Sequence, residues 1–268
     1  MSQERDNTPW QSRPQRILSF LMGKGPTWDY LRSKGPLEFF RFFNRQIRKQ
    51  IYLELGKRWD KEHNVETTGF MDLNDVNVVG PNKAEGEWVS ATSATFFNYL
   101  SRYFPKNRAK FTLIDLGSGQ GKVLLMSRLF GFRKIIGVEF VTEACDLAKR
   151  NVESFRDSKD LHTPTEVLNL DASTYEFPVD NLMLMLFNPF SPKLWDVMMK
   201  NLESSLKQTP RKVILILTST KPWAFDADKD VLRNYPRFIL KTEGVSPYFL
   251  DAYLPYYYAV YETADREI

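Results

Sequence analysis

Cysteine and histidine are nearly missing from this 268-residue sequence. Cys145 is the only cysteine, which excludes an intramolecular disulfide and a cysteine-based zinc site. The two histidines, His63 and His162, lie far apart in the chain and lack the spacing of metal ligands. We therefore expect no metal site. The lack of paired cysteines favours a reducing compartment, with the cytoplasm as the default location.

Long apolar runs are also missing. Residues 17–22, ILSFLM, are apolar but far fewer than the roughly 20 residues that a helix needs to cross a bilayer. The segment Met1–Pro14 is polar, and its acids Glu4 and Asp6 argue against both a secretory signal and a mitochondrial presequence. No transmembrane segment is expected.

Net charge is small as well. The chain has 37 Lys and Arg against 33 Asp and Glu, a formal charge of +4 at pH 7. This excess is too weak to indicate nucleic-acid binding, which needs a concentrated basic face. With 43% hydrophobic residues the chain can form a sizeable core, and its length suits one large domain with extra elements.

The most informative segment that is present is Phe111–Phe140, FTLIDLGSGQGKVLLMSRLFGFRKIIGVEF. Its apolar start, Phe111–Ile114, predicts a strand that is covered on both faces. A glycine-rich turn follows, then helix-like apolar spacing over Val123–Phe130 and a second strand over Ile135–Val138. Glu139 stands at the carboxyl end of that strand, where an acid can accept hydrogen bonds from both hydroxyls of a ribose. This order of elements predicts a nucleoside site.

The spacing inside the turn narrows the choice of ligand. The turn contains three alternate glycines: Gly117, Gly119 and Gly121. Lys122 occupies the position of the last glycine in a dinucleotide fingerprint, and Leu116 and Val123 do not fit a Walker A loop. The remaining pattern is D-x-G-x-G-x-G beginning at Asp115, and another Rossmann-like nucleotide site stays open as the alternative.

This pattern resembles motif I of class I S-adenosylmethionine-dependent methyltransferases, whose glycine loop approaches the methionine part of the cofactor. The resemblance implies S-adenosyl-L-methionine as the cofactor. It also implies that Asp171 and Ala172, after the predicted strand Glu166–Leu170, contact the adenine through a carboxylate and a backbone N–H, although an Asp there can also be a plain turn former. The cofactor-binding residues that the resemblance implies are Asp115, Gly117, Ser118, Gly119, Gly121, Glu139, Phe140, Asp171, Ala172 and Asn188.

The fourth predicted strand, Leu182–Phe187, is followed by the triplet N-P-F. It delivers Asn188 to the carboxyl edge of the sheet, where ligands bind in doubly wound folds. The triplet is similar to the [DN]-P-P-[FYW] motif of N-methyltransferases, although Phe190 replaces the second proline. As the implied catalytic residues, Asn188 would accept an N–H of the methyl acceptor through its carbonyl oxygen, and Phe190 would offer a flat face to the substrate or the adenine.

The rest of the chain completes an α/β fold. We expect a doubly wound αβα sandwich with a seven-stranded, mostly parallel sheet whose last strand is antiparallel, as in the resembled family. The remaining strands are predicted at Glu166–Leu170, Lys212–Leu217, Phe238–Thr242 and Tyr256–Tyr261. The remaining helices are predicted at Ala94–Phe104, Thr142–Phe155, Lys193–Leu206 and Val231–Asn234.

The amino-terminal part is predicted to contain an irregular arm, residues 1–35, and a helical extension with a cofactor-covering loop, residues 36–93, before the methyltransferase domain, residues 94–268. The helix Leu37–Glu62 has an apolar stripe that we expect to pack on the catalytic domain, while its basic residues stay solvated. An anionic membrane or an acidic partner is the alternative for this basic amphipathic helix. The stripe consists of Phe39, Phe40, Phe43, Ile47, Ile51 and Leu55.

Three further segments carry weaker signals. Residues 86–92, GEWVSAT, resemble a segment that closes over the cofactor in small methyltransferase families, with a plain connecting loop as the alternative. Residues 66–69, ETTG, together with the glycine loop, G-V-E and N-P-F, resemble a little-characterised group of bacterial-type class I methyltransferases. Histone lysine methyltransferases of the non-SET type share the D-L-G-S-G-x-G loop. The tyrosine-rich run over 247–258 predicts either an aromatic acceptor pocket or a hairpin packed on the sheet.

We therefore expect an S-adenosylmethionine-dependent methyltransferase that acts on a nitrogen of a protein lysine, another amine or a small molecule. In-line methyl transfer needs placement of the acceptor and exclusion of water rather than a catalytic triad or a metal. Two alternatives stay open: a catalytically silent module that binds the cofactor or a partner, and a nucleic-acid methyltransferase. The sequence names neither the acceptor nor the oligomeric state.

Overall fold

The computed structural model describes residues 26–85, 89–187, 191–252 and 254–264. The chain divides into two compact units, Met1–Arg48 and Lys49–Ile268. This division falls within the amino-terminal helix, and the functional boundaries after residues 35 and 93 stay predictions.

The second unit is built on a seven-stranded sheet. A separate antiparallel pair joins β1 (Phe70–Met71) to β2 (Val89–Ser90). The strands of the large sheet are β3 (Phe111–Leu116), β4 (Lys134–Glu139), β5 (Thr165–Asn169), β6 (Asn181–Phe187), β7 (Val213–Ser219), β8 (Phe238–Val245) and β9 (Tyr257–Thr263). Their order across the sheet is β5-β4-β3-β6-β7-β9-β8. Strand β9 runs antiparallel to both β7 and β8, and the other neighbouring strands are parallel, which confirms the predicted fold class.

Helices cover both faces of this sheet. The α-helices of the described residues are α1 (Pro26–His63), α2 (Ala94–Leu100), α3 (Lys122–Ser127), α4 (Thr142–Ser154), α5 (Pro192–Gln208) and α6 (Pro222–Leu232). Leu113 of β3 packs in one apolar cluster with α2 and α3, and its neighbour Ile114 packs in another with α5 and α6. Because strand side chains alternate between faces, a sheet covered on both sides needs an unbroken apolar run in its central strands.

The helix predicted at Leu37–Glu62 is present, but the prediction of an irregular arm is wrong for residues 26–34. Helix α1 spans Pro26–His63 because a further helical segment, residues 26–34, precedes a kink at Gly35. The helical geometry breaks at Gly35, whose φ is 82° and ψ is 168°, and resumes at Pro36. Both prolines are tolerated because the first turn of a helix makes no use of the missing N–H.

The short helix predicted at Val231–Asn234 is also wrong in its extent. Helix α6 begins at Pro222 and buries Phe225, Asp228 and Leu232 along one face. The carboxyl group of Asp228 interrupts the apolar period of that face, so hydrophobic spacing alone did not reveal the helix.

The apolar stripe of α1 is divided. Phe39 is buried, whereas Phe40, Phe43, Ile47 and Ile51 are exposed, so the expectation that the whole stripe packs is wrong. Adjacent residues of a helix point about 100° apart, so Phe39 and Phe40 lie on different faces. Among the described helices, none combines the length and the apolar composition that spanning a bilayer requires.

Candidate active site

The candidate site lies where the carboxyl ends of β3, β4, β5 and β6 meet. Asp115 on β3 pairs with Gly137 on β4 and with Met185 on β6. Glu139 ends β4 opposite Asn169, the last residue of β5. The parallel pairing therefore brings the glycine loop, Glu139 and the residues that follow β5 to one edge of the sheet.

The loop after β3 depends on glycine. Gly117, Gly119 and Gly121 have φ values of 82°, 53° and 86°, in the left-handed region that other residues rarely adopt. A Cβ atom on Gly121 would also lie 3.1 Å from the Cβ of Ala148 on α4. The loop therefore turns too tightly for side chains at these positions, and its backbone is open to close approach by a ligand.

The carboxylate of Glu139 holds this loop by a hydrogen bond. Its Oε2 accepts a hydrogen bond of 2.7 Å from the N–H of Gly119, and its Oε1 accepts one of 2.8 Å from the N–H of Val141. Burial raises the pKa of Glu139, and these backbone donors oppose that rise. Each carboxylate oxygen has two lone pairs, so both keep capacity for a further donor such as a ribose hydroxyl.

Asp115 is a buried acid beneath the loop. Its side chain is only 2% exposed, and the described residues give it no hydrogen-bond partner. Burial, and next the neighbouring charge of Glu139, raise the pKa of Asp115 to about 8. A cationic group placed beside it would stabilise its ionised form.

A narrow cavity lies against the loop. Its volume is ≈ 40 Å³, room for about three waters. Two of its buried polar atoms, Ser118 Oγ and Gln120 Oε1, have no hydrogen-bond partner among the described residues. The cavity is lined by Thr67, Ala91, Thr92, Asp115, Gly117, Ser118, Gln120, Lys122, Val123 and Phe187.

Lys122 is buried in the lining of this cavity. In the sequence, its position served only to exclude a dinucleotide fingerprint. Its Nζ lies 4.6 Å from the centre of the Trp59 ring, and it has no ion-pair partner within the described residues. Burial lowers its pKa, and the more distant charges of Asp60 and Asp251 oppose that effect. The cavity thus has a buried acid, Asp115, and a buried base.

Residues 66–69 lie over the glycine loop and are held by two side chains. Asp60 on α1 accepts hydrogen bonds from the N–H of Thr67 at 2.8 Å, from its hydroxyl at 2.5 Å, and from the N–H of Thr68 at 2.7 Å. Asn151 on α4 bonds both the N–H and the carbonyl of Glu66, and it donates to the carbonyl of Gln120 in the loop. This arrangement makes Thr67 a wall of the cavity.

Asp171 begins a short 3-10 turn after β5. Its Oδ1 accepts the N–H of Ser173 at 2.9 Å, and its Oδ2 accepts the side-chain amide of Asn82 at 2.8 Å. Gly80 passes so close that a Cβ atom there would lie 2.6 Å from Oδ2. Ala172, the other predicted adenine contact, is buried in this turn. Sequence patterns missed Asn82, because its segment has no periodicity that distinguishes one polar residue from another.

The same segment covers Phe140. Val78 forms an antiparallel bridge with Val141, and the N–H of Val79 donates to the carbonyl of Phe140 at 2.8 Å. Asn77 donates to Glu143 through both its backbone N–H and its side-chain amide. Residues 77–79 therefore run alongside the chain that follows Glu139.

Residues 96–183, about a third of the chain, match the family described as "Histone methylation protein DOT1". The matched segment contains the glycine loop, Glu139 and Asp171, which the sheet places at one edge. The chain is an S-adenosylmethionine-dependent methyltransferase. Its cofactor is S-adenosyl-L-methionine.

Solved structures resemble the methyltransferase over part of its length. A Streptococcus agalactiae protein of the NADB-Rossmann superfamily is 16% identical over 66% of this chain and 72% of its own, with a TM-score of 0.46. A Methanosarcina mazei SAM-dependent methyltransferase is 14% identical over 62% of this chain and 96% of its own, with a TM-score of 0.44. The tRNA methyltransferase TrmK of B. subtilis is 15% identical over 66% of this chain and 68% of its own, with a TM-score of 0.45. Likeness at this level carries no argument about the acceptor. No curated protein matches the chain.

The chemical groups around the glycine loop match the polar groups of this cofactor. The left-handed glycines leave no side chains above the loop, and the partnerless atoms of Ser118 and Gln120 are available to a polar ligand. The lining of the cavity also contains the carboxyl group of Asp115 and the amino group of Lys122, the two kinds of group that can pair with the ammonium and the carboxylate of an amino acid.

Two predicted catalytic residues, Asn188 and Phe190, lie outside the described residues, as does Pro189. Residues 86–88 of the predicted cofactor-covering segment lie outside them too. In the sequence Asn188 directly follows Phe187, which ends β6 and lines the cavity. Its assignment, and that of Phe190, stay predictions.

Two carboxyl-terminal tyrosines of the methyltransferase, Tyr256 and Tyr258, pack inward, whereas Tyr248 is 69% exposed. Tyr256 stacks on Phe96 with 4.0 Å between the ring centres. The Tyr258 hydroxyl lies within hydrogen-bonding distance of those of Tyr99 and Tyr103, and burial raises the pKa of Tyr258. Tyr256 and Tyr258 therefore follow the predicted packed hairpin rather than an acceptor pocket.

Ser93 caps the start of α2 and is itself bonded by the carboxyl-terminal segment. Ser93 Oγ accepts the N–H of Phe96 at 2.9 Å. Asp251 accepts the Ser93 hydroxyl at 2.8 Å and the N–H of Thr95 at 3.0 Å. The tyrosine-rich segment is thereby fastened to the start of α2.

An open cleft lies beside the narrow cavity. Its volume is ≈ 400 Å³, and Lys122 is common to the linings of both spaces. The cleft combines aromatic rings with carboxylates; these residues are Tyr52, Trp59, Glu62 and Asp251. The described residues contain no group of three or more His, Cys, Asp or Glu that could hold a metal ion.

Proposed function

We propose that this methyltransferase transfers the methyl group to the nitrogen of an amine, either on a protein lysine or on a small molecule. The observation that carries the proposal is the position of Asn188 in the sequence, directly after a strand whose last residue, Phe187, lines the narrow cavity beside the glycine loop. A carboxamide oxygen accepts hydrogen bonds but carries no charge, so it can hold a neutral amine without favouring its protonated form.

The bound cofactor supplies an electrophilic methyl group on a sulfonium. The protein then has to hold the acceptor nitrogen in line with that methyl group and keep water away. Asn188 would accept one N–H of the amine and so direct the nitrogen lone pair, and Phe190 would pack against the acceptor. Residues 66–69, tied to Asp60 and Asn151, would exclude water from the glycine loop.

Four side chains would hold the cofactor at its polar groups. Asp115 would receive the ammonium of the methionine part, and Lys122 would receive its carboxylate. Glu139 would accept the ribose hydroxyls with the lone pairs that Gly119 and Val141 leave free. Asp171 would accept the adenine amino group on the carboxylate that Asn82 and Ser173 already orient.

The cleft next to the cavity supports an amine as the acceptor. The cleft is lined by the rings of Tyr52 and Trp59, and its carboxylates, Glu62 and Asp251, contribute negative charge that attracts an alkylammonium group. A lysine side chain or a small amine that approached through this cleft would reach the cavity beside Lys122. The matched family is described as a histone methylation protein, which also supports a protein acceptor.

The charges of α1 next to the cleft do not favour a nucleic-acid acceptor. Lys57 and Arg58 each pair with an acid of the same helix. Such pairing leaves less free positive charge for a phosphate backbone than the sequence suggested.

The test combines labelled cofactor with a variant of Asn188. Purified protein is incubated with a cell lysate and S-adenosylmethionine labelled in the methyl group, and the label is followed in protein, small-molecule and nucleic-acid fractions. We expect label in protein or small molecules, stable to alkali as N-methyl groups are. Asn188→Ala should keep cofactor affinity and lose methyl transfer by roughly a hundredfold through acceptor misplacement.

Asn234→Ala, at an exposed position outside the site, is the matched control and should keep full activity. Label in RNA or DNA, alkali-labile label, or full activity of Asn188→Ala would each contradict the proposal.

A further inference from the structure

Four apolar side chains of α1 form an exposed face. Leu37, Phe40, Phe43 and Ile47 are 63%, 66%, 46% and 44% exposed. Their steps of three, three and four residues bring them to one side of the helix. We call these four residues the apolar face of α1.

This face borders the buried side of the helix, because the ring of Phe39 contacts those of Phe40 and Phe43. Phe39 is buried, and its ring stacks on that of Phe43 with 6.3 Å between centres. A surface helix needs only one apolar side to pack in a folded protein, so the second side is available to a partner.

Positive charge is concentrated in the segment that contains the apolar face. Residues 32–48 contain five basic residues and one acid, Glu38, a net charge of +4. The whole chain also has a net charge of +4, so the rest of the sequence is neutral overall. The basic residues are Arg32, Lys34, Arg41, Arg45 and Arg48.

This combination identifies the partner by its chemistry. We propose that the apolar face of α1 docks on an anionic lipid bilayer, with Leu37, Phe40 and Ile47 among the acyl chains and the arginines at the headgroups. A basic helix with aromatic and aliphatic residues on one side is the pattern that lies in a bilayer interface. A nucleic-acid surface would instead meet charged residues at the centre of the contact, where this helix has leucine, phenylalanine and isoleucine. The proposal is independent of the methyl acceptor.

Flotation with vesicles tests the docking. The full-length protein is mixed with vesicles of phosphatidylcholine alone or of phosphatidylcholine with phosphatidylglycerol, at low and at high salt. We expect about tenfold stronger partition to the anionic vesicles at low salt, and a loss of that preference at high salt.

Two variants separate the apolar and the charged contributions. The double variant Phe40→Ser, Ile47→Ser should reduce partition to anionic vesicles by about tenfold or more. Arg41→Gln with Arg45→Gln should remove the preference for phosphatidylglycerol. The double variant Leu161→Ser, Val179→Ser, at positions of similar exposure in the second unit, should partition like the wild type.

Several results would overturn the proposal. One is absence of flotation by the wild-type protein with anionic vesicles, and another is unchanged flotation of the Phe40→Ser, Ile47→Ser variant. Light scattering that shows a dimer, which this variant converts to a monomer without any vesicle binding, would assign the face to a second copy of the chain. Oligonucleotide binding that depends on the basic residues of the segment 32–48, without any vesicle binding, would assign the apolar face to a nucleic-acid partner.

Discussion

The backbone N–H of Gly119 donates a hydrogen bond to Oε2 of Glu139 over 2.7 Å. The bond joins the loop after β3 to the end of β4, while the other oxygen of the carboxylate accepts the N–H of Val141. One side chain therefore fixes the glycine loop and faces the place where the resemblance puts the ribose.

Removal of this carboxylate should weaken cofactor binding strongly. We expect micromolar-range affinity for S-adenosylmethionine, about −8 kcal/mol. Glu139→Ala should cost about 2 kcal/mol, roughly a thirtyfold rise in Kd, because a charged acceptor is lost from the loop and the ribose. Isothermal titration calorimetry measures the change, with the exposed Glu166→Ala as the control. An unchanged Kd for Glu139→Ala would refute the role of this residue.

Lys122 should discriminate ligands by their carboxylate. Lys122→Met keeps an unbranched apolar side chain against Trp59 but removes the ammonium. We expect the Kd for S-adenosylmethionine to rise about tenfold, while decarboxylated S-adenosylmethionine binds the variant and the wild type alike. Lys110→Met, at an exposed position before β3, is the control in the same calorimetric titrations. Equal weakening for both ligands would mean that Lys122 supports the fold instead of the ligand.

Stability should depend on pH through Asp115. Its pKa rises from an ordinary 3.8 to about 8 in the folded protein, so the folded state holds a proton that the unfolded state releases. This contribution to the free energy of unfolding is full below about pH 4 and is lost as the pH rises through about 8, because only the unfolded state releases the proton in that range. Asp115→Asn removes the titration. Thermal unfolding of the ligand-free protein between about pH 5 and pH 9 should show a smaller alkaline loss for the variant than for the wild type. Parallel curves would contradict the raised pKa.

Asp60 should be a larger contributor to stability than an exposed capping acid. Its buried carboxylate accepts three hydrogen bonds from Thr67 and Thr68. Asp60→Ala leaves those donors without an acceptor, and we expect a loss of about 3 kcal/mol in the free energy of unfolding. Asp72→Ala removes an exposed cap and should cost about 1 kcal/mol. Urea unfolding compares the two variants, and equal losses would show that Asp60 is not a special anchor.

The sequence pattern predicted the central strands of this protein well, because burial on both faces requires an unbroken apolar run. The apolar runs of β3 and β6 indicated strands covered on both faces, and Ile114 and Leu113 do pack in opposite clusters. The patterns failed at α6 because Asp228 interrupts its buried face, and at α1 because Gly35 breaks a helix that continues on both sides. In both places a single residue departs from the periodicity on which the prediction depends.

The fold class and the glycine loop can be predicted from the sequence, because unbroken apolar strands, the glycine spacing and the acid Glu139 all lie within about thirty consecutive residues, the scale of one βαβ unit. What surrounds that loop is seen only in the folded chain. The bond between Asn82 and Asp171, the anchoring of Thr67 by Asp60, and the position of Lys122 over Trp59 join segments that share no sequence pattern. Such contacts depend on which chain segments the packed sheet brings together, and spacing along the chain does not encode that choice.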